Sequence, residues 1–215
     1  MIEHVYRRTA SAGGIDATMV ATDDERILRE VQRFGGVARM TRAGHRSGLD
    51  RIAEIAADLT CAVIVNVQGD LPLIDPRMIA DVVEPLVRDP SVQMSTVKAQ
   101  ITDSADYTNP NVVKVVTDRD GNALYFSRAS LPYSRGGRVT AYKHSGLYAY
   151  RRQFLLTLAG LPPTPLEIAE SLEQLRALEH GFRIRVVDTE CDSIEVDTPE
   201  DLERVRRHLA VGTTA

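Results

Sequence analysis

The sequence predicts an α/β fold: a doubly wound, mostly parallel sheet with an antiparallel insertion in its middle. Three observations predict it. Short β-branched runs alternate with longer amphipathic runs, early in the chain and again at its end. The run Val63-Ile64-Val65-Asn66-Val67 stops at the polar turn Gln68-Gly69-Asp70, the pattern of a buried strand with a ligand-facing carboxyl end. Between two later apolar runs, Asp118-Arg119-Asp120-Gly121-Asn122 is a hairpin signal that breaks the alternation.

Each element follows from local chemistry. Ile2, Val5, Tyr6 and Thr9 recur at helical spacing, so the chain opens on an amphipathic helix that stops at Gly13-Gly14. A strand is expected over 17–21, then a helix over 24–34 started by Thr22-Asp23-Asp24-Glu25. A strand over 37–40, a loop over 41–48 and a helix over 49–57 lead into the strand at 62–67. Asp75-Pro76 starts a helix that runs to about 88. Strands follow over 94–101, 112–117, 123–127 and 142–150. Helices are expected over 151–159 and 165–180, the second stopped by Gly181. A strand over 183–187 precedes a final helix, opened by Thr198-Pro199-Glu200-Asp201 and ending near 209. Without a repeat or linker, 1–210 read as one domain and 211–215 as a frayed tail.

Composition narrows the class. The 215 residues, 43% of them hydrophobic, suffice for one sizeable core. A net charge of -4 argues against nucleic acid or anionic lipid as partners. Cys61 and Cys191 form neither a metal spacing nor a disulfide framework, and both flank apolar runs, so buried reduced thiols are expected. The amino terminus lacks the form of a signal peptide, and no apolar run is long enough to span a bilayer. A soluble cytoplasmic protein is expected.

Two acidic loops carry the chemistry: Gln68-Gly69-Asp70 and Val196-Asp197-Thr198-Pro199-Glu200-Asp201. If they line one pocket, Asp70 and Asp197 can share a divalent cation; Mg2+ prefers few carboxylates, completed by waters and phosphate oxygens. The competing reading is structural, with Asp70 holding a turn and the second loop capping the last helix. Spacing does not say whether the loops meet.

A set of further stretches, taken with these loops, resembles the 3-deoxy-manno-octulosonate cytidylyltransferase (CMP-Kdo synthetase) family. They are His4-Val5-Tyr6; Val20-Ala21-Thr22-Asp23; Met40-Thr41 with His45, Ser47-Gly48 and Asp50-Arg51; and Val65-Asn66-Val67-Gln68-Gly69-Asp70. Then come Asn109-Pro110-Asn111-Val112-Val113-Lys114-Val115-Val116, Ala123-Leu124-Tyr125-Phe126-Ser127-Arg128, and Lys143-His144 with Gly146-Leu147-Tyr148-Ala149-Tyr150. Leu172-Glu173-Gln174-Leu175-Arg176 and the 196–202 stretch complete a series in family order. The resemblance implies a nucleotide-diphospho-sugar-transferase-like (Rossmann-like) sheet. It also implies transfer of CMP from CTP to the anomeric hydroxyl of the acidic sugar Kdo, with release of pyrophosphate, for lipopolysaccharide synthesis in a homodimer. By the same resemblance Asp70 and Asp197 are the magnesium carboxylates. Arg128, His144, Tyr148, Glu173 and Gln174 contact the sugar, Gln68 the sugar or the nucleotide beside Asp70, and Ser47, Gly48 and Arg51 the nucleotide. Each has a structural alternative. Arg128 could make a surface ion pair, His144 and Tyr148 a half-buried pair on one strand face, and Glu173 and Gln174 a solvated helix face. Ser47 could cap its helix beside an exposed Arg51. His45 reads as a loop residue rather than a base.

The sequence departs from the family in four places. The opening apolar strand and its basic, triphosphate-holding loop have no counterpart, so the first central strand is expected to be absent from the sheet, and these residues are expected to turn over weakly or not at all. Leu71 stands where Glu usually follows Gln-Gly-Asp, Leu49 replaces a Thr, and Glu195 replaces a Gly. Two other functions therefore stay open: a non-enzymatic relative that binds sugar or a partner, and a cytidylyltransferase for another acidic sugar such as a neuraminate or an amino-Kdo.

Overall fold

Everything in the fold is arranged around one long strand, β7 (Tyr142–Arg151), in a computed structural model that describes residues 1–137, 140–191 and 193–212. One edge of β7 pairs along its length with β4 (Met94–Gln100), antiparallel. The other edge is shared. β5 (Lys114–Thr117) takes Tyr142 and Lys143, while β3 (Val63–Val67) takes Leu147 to Arg151. Between these two partners the His144 N–H still donates to the Val113 carbonyl at 2.8 Å, and the edge opens at Ser145 and Gly146. β6 (Ala123–Ser127) extends the sheet beyond β5 through the expected hairpin, and β8 (Arg185–Asp188) joins β4 in parallel. The directions follow from the pairings: β3, β4, β5 and β8 run one way, and β7 and β6 run the other. The antiparallel insertion is thus the pair β6 and β7 within a mostly parallel set.

Side chains alternate across β7 and build two apolar layers. Leu147 and Ala149 pack against Met78, Ile79, Val82 and Leu86 of α4 (Pro76–Arg88). Tyr148 and Tyr150 face the opposite layer, with Leu49 and Ala53 of α3 (Gly48–Ala56) and Phe154, Leu155 and Leu158 of α6 (Arg152–Ala159). The helices start where the capping signals stand: Asp24, Ser47 and Asp75 accept backbone N–H bonds at the starts of α2 (Glu25–Arg33), α3 and α4.

The sheet is divided where a central strand was expected to be absent. β1 (Val20–Thr22) and β2 (Ala38–Met40) form a separate parallel pair, and among the described residues β3 is hydrogen-bonded to β7 alone. The expectation that β3 is a buried strand therefore needs correction. Only Asn66 is buried; Val63, Ile64, Val65 and Val67 are partly exposed along the unpaired flank.

Other differences are local. The helix expected over 165–180 is two short ones, α7 (Pro165–Glu170) and α8 (Leu175–Glu179), because Ser171 takes the left-handed conformation at φ 53°. A short helix that the pattern did not announce, α5 (Ser104–Thr108), follows β4 and is capped by Asp103. Cys61 is exposed rather than buried, at the start of the turn into β3, and Cys191 is half-buried; both are free thiols. The last helix, α9 (Pro199–Gly212), runs further than expected, and 213–215 lie outside the described residues. No helix among the described residues is long and apolar enough to cross a membrane.

Candidate active site

The two acidic loops meet. The N–H of Val196 donates to the carbonyl of Asp70 at 3.0 Å, which ties the turn after β3 to the start of α9. Capping of α9 falls to Thr198 and Asp201: Thr198 Oγ1 accepts from Asp201 N–H at 3.2 Å and donates to Asp201 Oδ2 at 2.8 Å. Asp197 is therefore not used as a cap and lines a cleft of about 1050 Å³ together with Asp70. This cleft opens at the break in the β7 edge, at the carboxyl end of β3, where ligands of such sheets bind.

Its floor and walls gather most of the sequence-predicted residues: Gln68, Arg128, His144, Tyr148, Glu173, Gln174 and Ser47 all line it. Several are held more firmly than sequence implied. His144 is buried, its ring stands edge-on to Phe126 at 5.0 Å, and it lies 5.3 Å from Tyr148 on the same strand face. Burial holds the imidazole neutral, with its pKa pushed down to about 3. Among the described residues Arg128 makes no ion pair. Its Nε donates to the carbonyl of Glu170 at 2.8 Å and its Nη1 to that of Pro110 at 3.0 Å. The Glu170 carboxylate in turn accepts from Ser127 Oγ at 2.6 Å and Arg128 N–H at 2.9 Å.

Glu173 and Gln174 are not on a solvated helix face. The left-handed Ser171 turns the chain so that both enter the cleft from the α7–α8 break. Glu173 Oε2 accepts from the Leu49 N–H at 3.0 Å, and so occupies the amino end of α3. Burial raises the Glu173 pKa above the ordinary carboxylate value. Glu173 Oε1 and Gln174 Nε2 are buried without a protein partner among the described residues. This acceptor and donor stand ready for hydroxyl groups.

The residues expected to meet the nucleotide are placed differently. Ser47 caps α3 through Asp50 N–H at 3.2 Å, as its structural alternative held, yet also lines the cleft. Gly48 stands beside Glu173: a Cβ there would lie 3.8 Å from Oε2. Arg51 does not line the cleft. Its guanidinium binds Thr41 Oγ1 at 2.6 Å and Asp23 at 2.9 Å. His45 pairs with Glu54 and lines an adjoining cavity of about 470 Å³, which shares Arg46, Pro163 and Arg176 with the cleft.

The departures from the family pattern also resolve in space. Leu71 is fully buried in the apolar layer under α4, away from the cleft, so it leaves the cleft's carboxylates unchanged. Glu195 does line the cleft, and its Oε1 accepts from Gly146 N–H at 3.1 Å. Burial, then the charges of Asp70 and Asp197, push its pKa up to about 7. Burial and the Asp197 charge likewise raise Asp70, whose Oδ1 has no partner among the described residues.

Sequence reasoning passed over several residues. Gly146 lies under the Gln68 side chain: a Cβ there would sit 2.7 Å from Gln68 Cδ and Oε1, so the Gln68 amide would have to swing aside. Lys114 is fully buried and donates to the carbonyls of Asn109, Val112 and Arg128, which fixes the Pro110 turn against Arg128. A lone lysine inside Val-Val-Lys-Val-Val was the available signal. Arg176 is buried between Glu167 at 2.6 Å and Asp50 at 3.3 Å, joining α8 to α7 and α3.

Comparison with known proteins gives the family and the fold. The cytidylyltransferase family model matches residues 1–185. The 3-deoxy-manno-octulosonate cytidylyltransferases of Pelobacter propionicus and Geobacter metallireducens are 56% and 54% identical, over 97% and 98% of this chain and 87% of each relative. A solved structure of CMP:2-keto-3-deoxy-manno-octonic acid synthetase complexed with CTP has a TM-score of 0.92 at 40% identity, covering 98% of this chain and 88% of its own. At 15% identity, 4-diphosphocytidyl-2C-methyl-D-erythritol synthase from Anaerococcus prevotii has a TM-score of 0.60 over 97% of this chain and 85% of its own, a likeness of fold alone. Fold and cleft thus define a nucleotidyltransferase of the cytidylyltransferase class. Within that class, the chain belongs to the 3-deoxy-manno-octulosonate cytidylyltransferase (CMP-Kdo synthetase) family.

Proposed function

We propose that this cleft transfers CMP from CTP to the anomeric hydroxyl of Kdo, for lipopolysaccharide synthesis. The anomeric oxygen attacks the α-phosphorus, a new P–O bond forms, the α–β anhydride bond breaks, pyrophosphate leaves and the hydroxyl proton passes to solvent. The observation that carries this reading is the bond from Val196 N–H to the Asp70 carbonyl. Asp70 and Asp197 line one cleft with Glu173 and Gln174, whose buried Oε1 and Nε2 have no partner among the described residues. Arg128, braced by two carbonyls, keeps further N–H donors for the sugar carboxylate. Glu173, Gln174, His144 and Tyr148 orient the hydroxyls, so the anomeric oxygen is positioned rather than activated by a strong base.

The residues fit a magnesium ion. Asp70 Oδ1 is buried without a partner among the described residues, and Asp197 lines the same space. Among the described residues no three His, Cys, Asp or Glu side chains form a complete metal cage. Two carboxylates suit an ion that keeps waters and phosphate oxygens as its other ligands. Asp70 and Asp197 would hold it, and when bound it supplies charge neutralisation at the triphosphate.

We further propose a homodimer and slow turnover by these 215 residues. The first rests on the family to which the chain belongs. In support of the second, among the described residues β3 is paired with β7 alone. Among the described residues the arginines lining the cleft are Arg46, Arg128 and Arg176, the last already bound by two carboxylates. The test is pyrophosphate release with CTP, magnesium and a panel of Kdo, amino-Kdo and neuraminate, with sedimentation to read the oligomer. Faster turnover of another sugar than of Kdo would sink the assignment. No turnover of any sugar by a folded chain that still binds one would favour a non-enzymatic sugar binder.

A further inference from the structure

Thr96 lies on β4 and is fully buried. Its Oγ1 is 2.7 Å from the carbonyl oxygen of Leu147 and 2.9 Å from His144 Nε2. A hydroxyl carries one hydrogen, and a carbonyl only accepts, so that hydrogen belongs to the Leu147 bond. Nε2 must then donate its own hydrogen to Thr96. A neutral imidazole protonated on Nε2 has a bare Nδ1, which only accepts. Among the described residues nothing bonds Nδ1, and His144 lines the cleft. The arrangement depends on an irregularity in the sheet. The β4–β7 register shifts between Thr96 and Val97, leaving Gly146 and Leu147 without partners on β4, so Thr96 meets the Leu147 carbonyl through its side chain. Phe126 and Tyr148 hold the ring from two sides.

We propose that Thr96 is a specificity-determining positioning residue: it fixes His144 as the Nε2–H tautomer, so that Nδ1 meets the sugar as a hydrogen-bond acceptor. The group that faces His144 must therefore be a donor, a hydroxyl or an amine. A carboxylate there would set lone pair against lone pair, so the sugar's acid group is directed to Arg128 and the acid enters the cleft in one orientation. This inference rests on the reading that the cleft takes an acidic polyhydroxy sugar.

The tautomer is read directly from the histidine nitrogen signals in a 15N NMR spectrum of the intact chain, without turnover. Wild type is expected to show His144 protonated on Nε2 alone. Thr96→Val removes the acceptor and leaves the Leu147 carbonyl unpaired; Thr96→Ser keeps both bonds. Thr96→Val is expected to lose the single tautomer and to raise the KM for Kdo by about tenfold, the usual effect of losing one good hydrogen bond. The KM for CTP stays within about twofold, and Thr96→Ser matches wild type in both readouts. Should Thr96→Val fail to fold, the wild-type and Thr96→Ser spectra still decide the tautomer. An Nδ1–H signal for His144 in wild type overturns the proposal, as does a folded Thr96→Val with unchanged sugar KM. A chain that does not use Kdo at all defeats the functional reading but leaves the tautomer signal as its own test.

Discussion

The two flanks of the cleft are built differently. On the β7 and α8 side, His144, Tyr148, Arg128 and Gln174 sit on elements packed against other elements, and each polar group is braced by a named partner or aimed at the cleft. On the α3 side, and behind it toward β1 and β2, the polar groups serve the protein itself. Arg51 is bound to Asp23 and Thr41, Ser47 caps its helix, and the Leu49 N–H is taken by Glu173 from across the cleft. That flank also borders the unpaired edge of β3. One side is preorganised for a ligand, which lowers the ordering cost of binding. The other is satisfied internally, so a ligand there must displace existing bonds or use what remains.

Asp70→Asn tests the junction of the two sides and should have the largest effect. Turnover is expected to fall by about a thousandfold or more, on the order of 4 kcal/mol of transition-state stabilisation. The cation-free protein should melt higher, because a buried carboxylate with a raised pKa and no partner for Oδ1 is a cost to folding. Unchanged turnover would remove Asp70 from the chemistry. Next in size is Gly146→Ala, on the preorganised side. The new Cβ would meet the Gln68 amide at 2.7 Å; as the end of a flexible side chain it can swing aside, so the cost falls at the low end of the roughly 1–3 kcal/mol of overpacking, and the displaced amide is lost to the cleft. A lower melting temperature and a raised KM for the sugar are expected, whereas Gly13→Ala, with nothing within 4 Å, moves neither. Equal melting temperatures for the two variants would show that Gln68 is free to move.

The preorganised side was also the less legible in the sequence, for physical reasons. Local signals were read well: Asp24, Ser47 and Asp75 cap the helices they announce, and the alternation along β7 sorts its side chains into two layers. Contacts made at long range were not. No spacing rule brings Val196 to Asp70, or Glu173 to the start of α3 across 124 residues of chain. The apolar period runs through Ser171, so nothing local foretold the left-handed turn that brings Glu173 and Gln174 into the cleft. Thr96 read as an ordinary strand residue, because its role depends on a register shift between two strands. Leu71 showed the converse: its neighbourhood in sequence suggested the metal, and its neighbourhood in space is the core.

A smaller effect is expected from pH. Glu195 has an ordinary value of 4.5, and in the folded chain it is pushed up to about 7, so folding favours its protonated form. Its contribution to stability is present below about pH 4.5 and lost as the pH rises through about 7. His144 works in the opposite sense. Its folded value of about 3 lies below the ordinary 6.5, so its contribution is present above 6.5 and lost as the pH falls toward 3. The cation-free chain should lose melting temperature from about pH 5 to about pH 8. Glu195→Gln should flatten that limb and leave the acid limb in place. Parallel curves for the variant and wild type would place the alkaline loss elsewhere.

The smallest effect is expected from Arg51→Ala, and it bears most directly on the contrast between the two flanks. The Arg51 side chain is 21% exposed and already committed to Asp23 and Thr41. Removing it should cost about 1 kcal/mol of stability, the range of a partly exposed pair with one further hydrogen bond. The KM for CTP should stay within about threefold, because an arginine held by protein partners outside the cleft has little left to give a nucleotide. A tenfold or larger rise in that KM, with the melting temperature nearly unchanged, would mean that Arg51 exchanges Asp23 for the nucleotide on binding. The internally satisfied flank would then be a latent binding surface, its ion pairs holding the side chains in place until the ligand arrives.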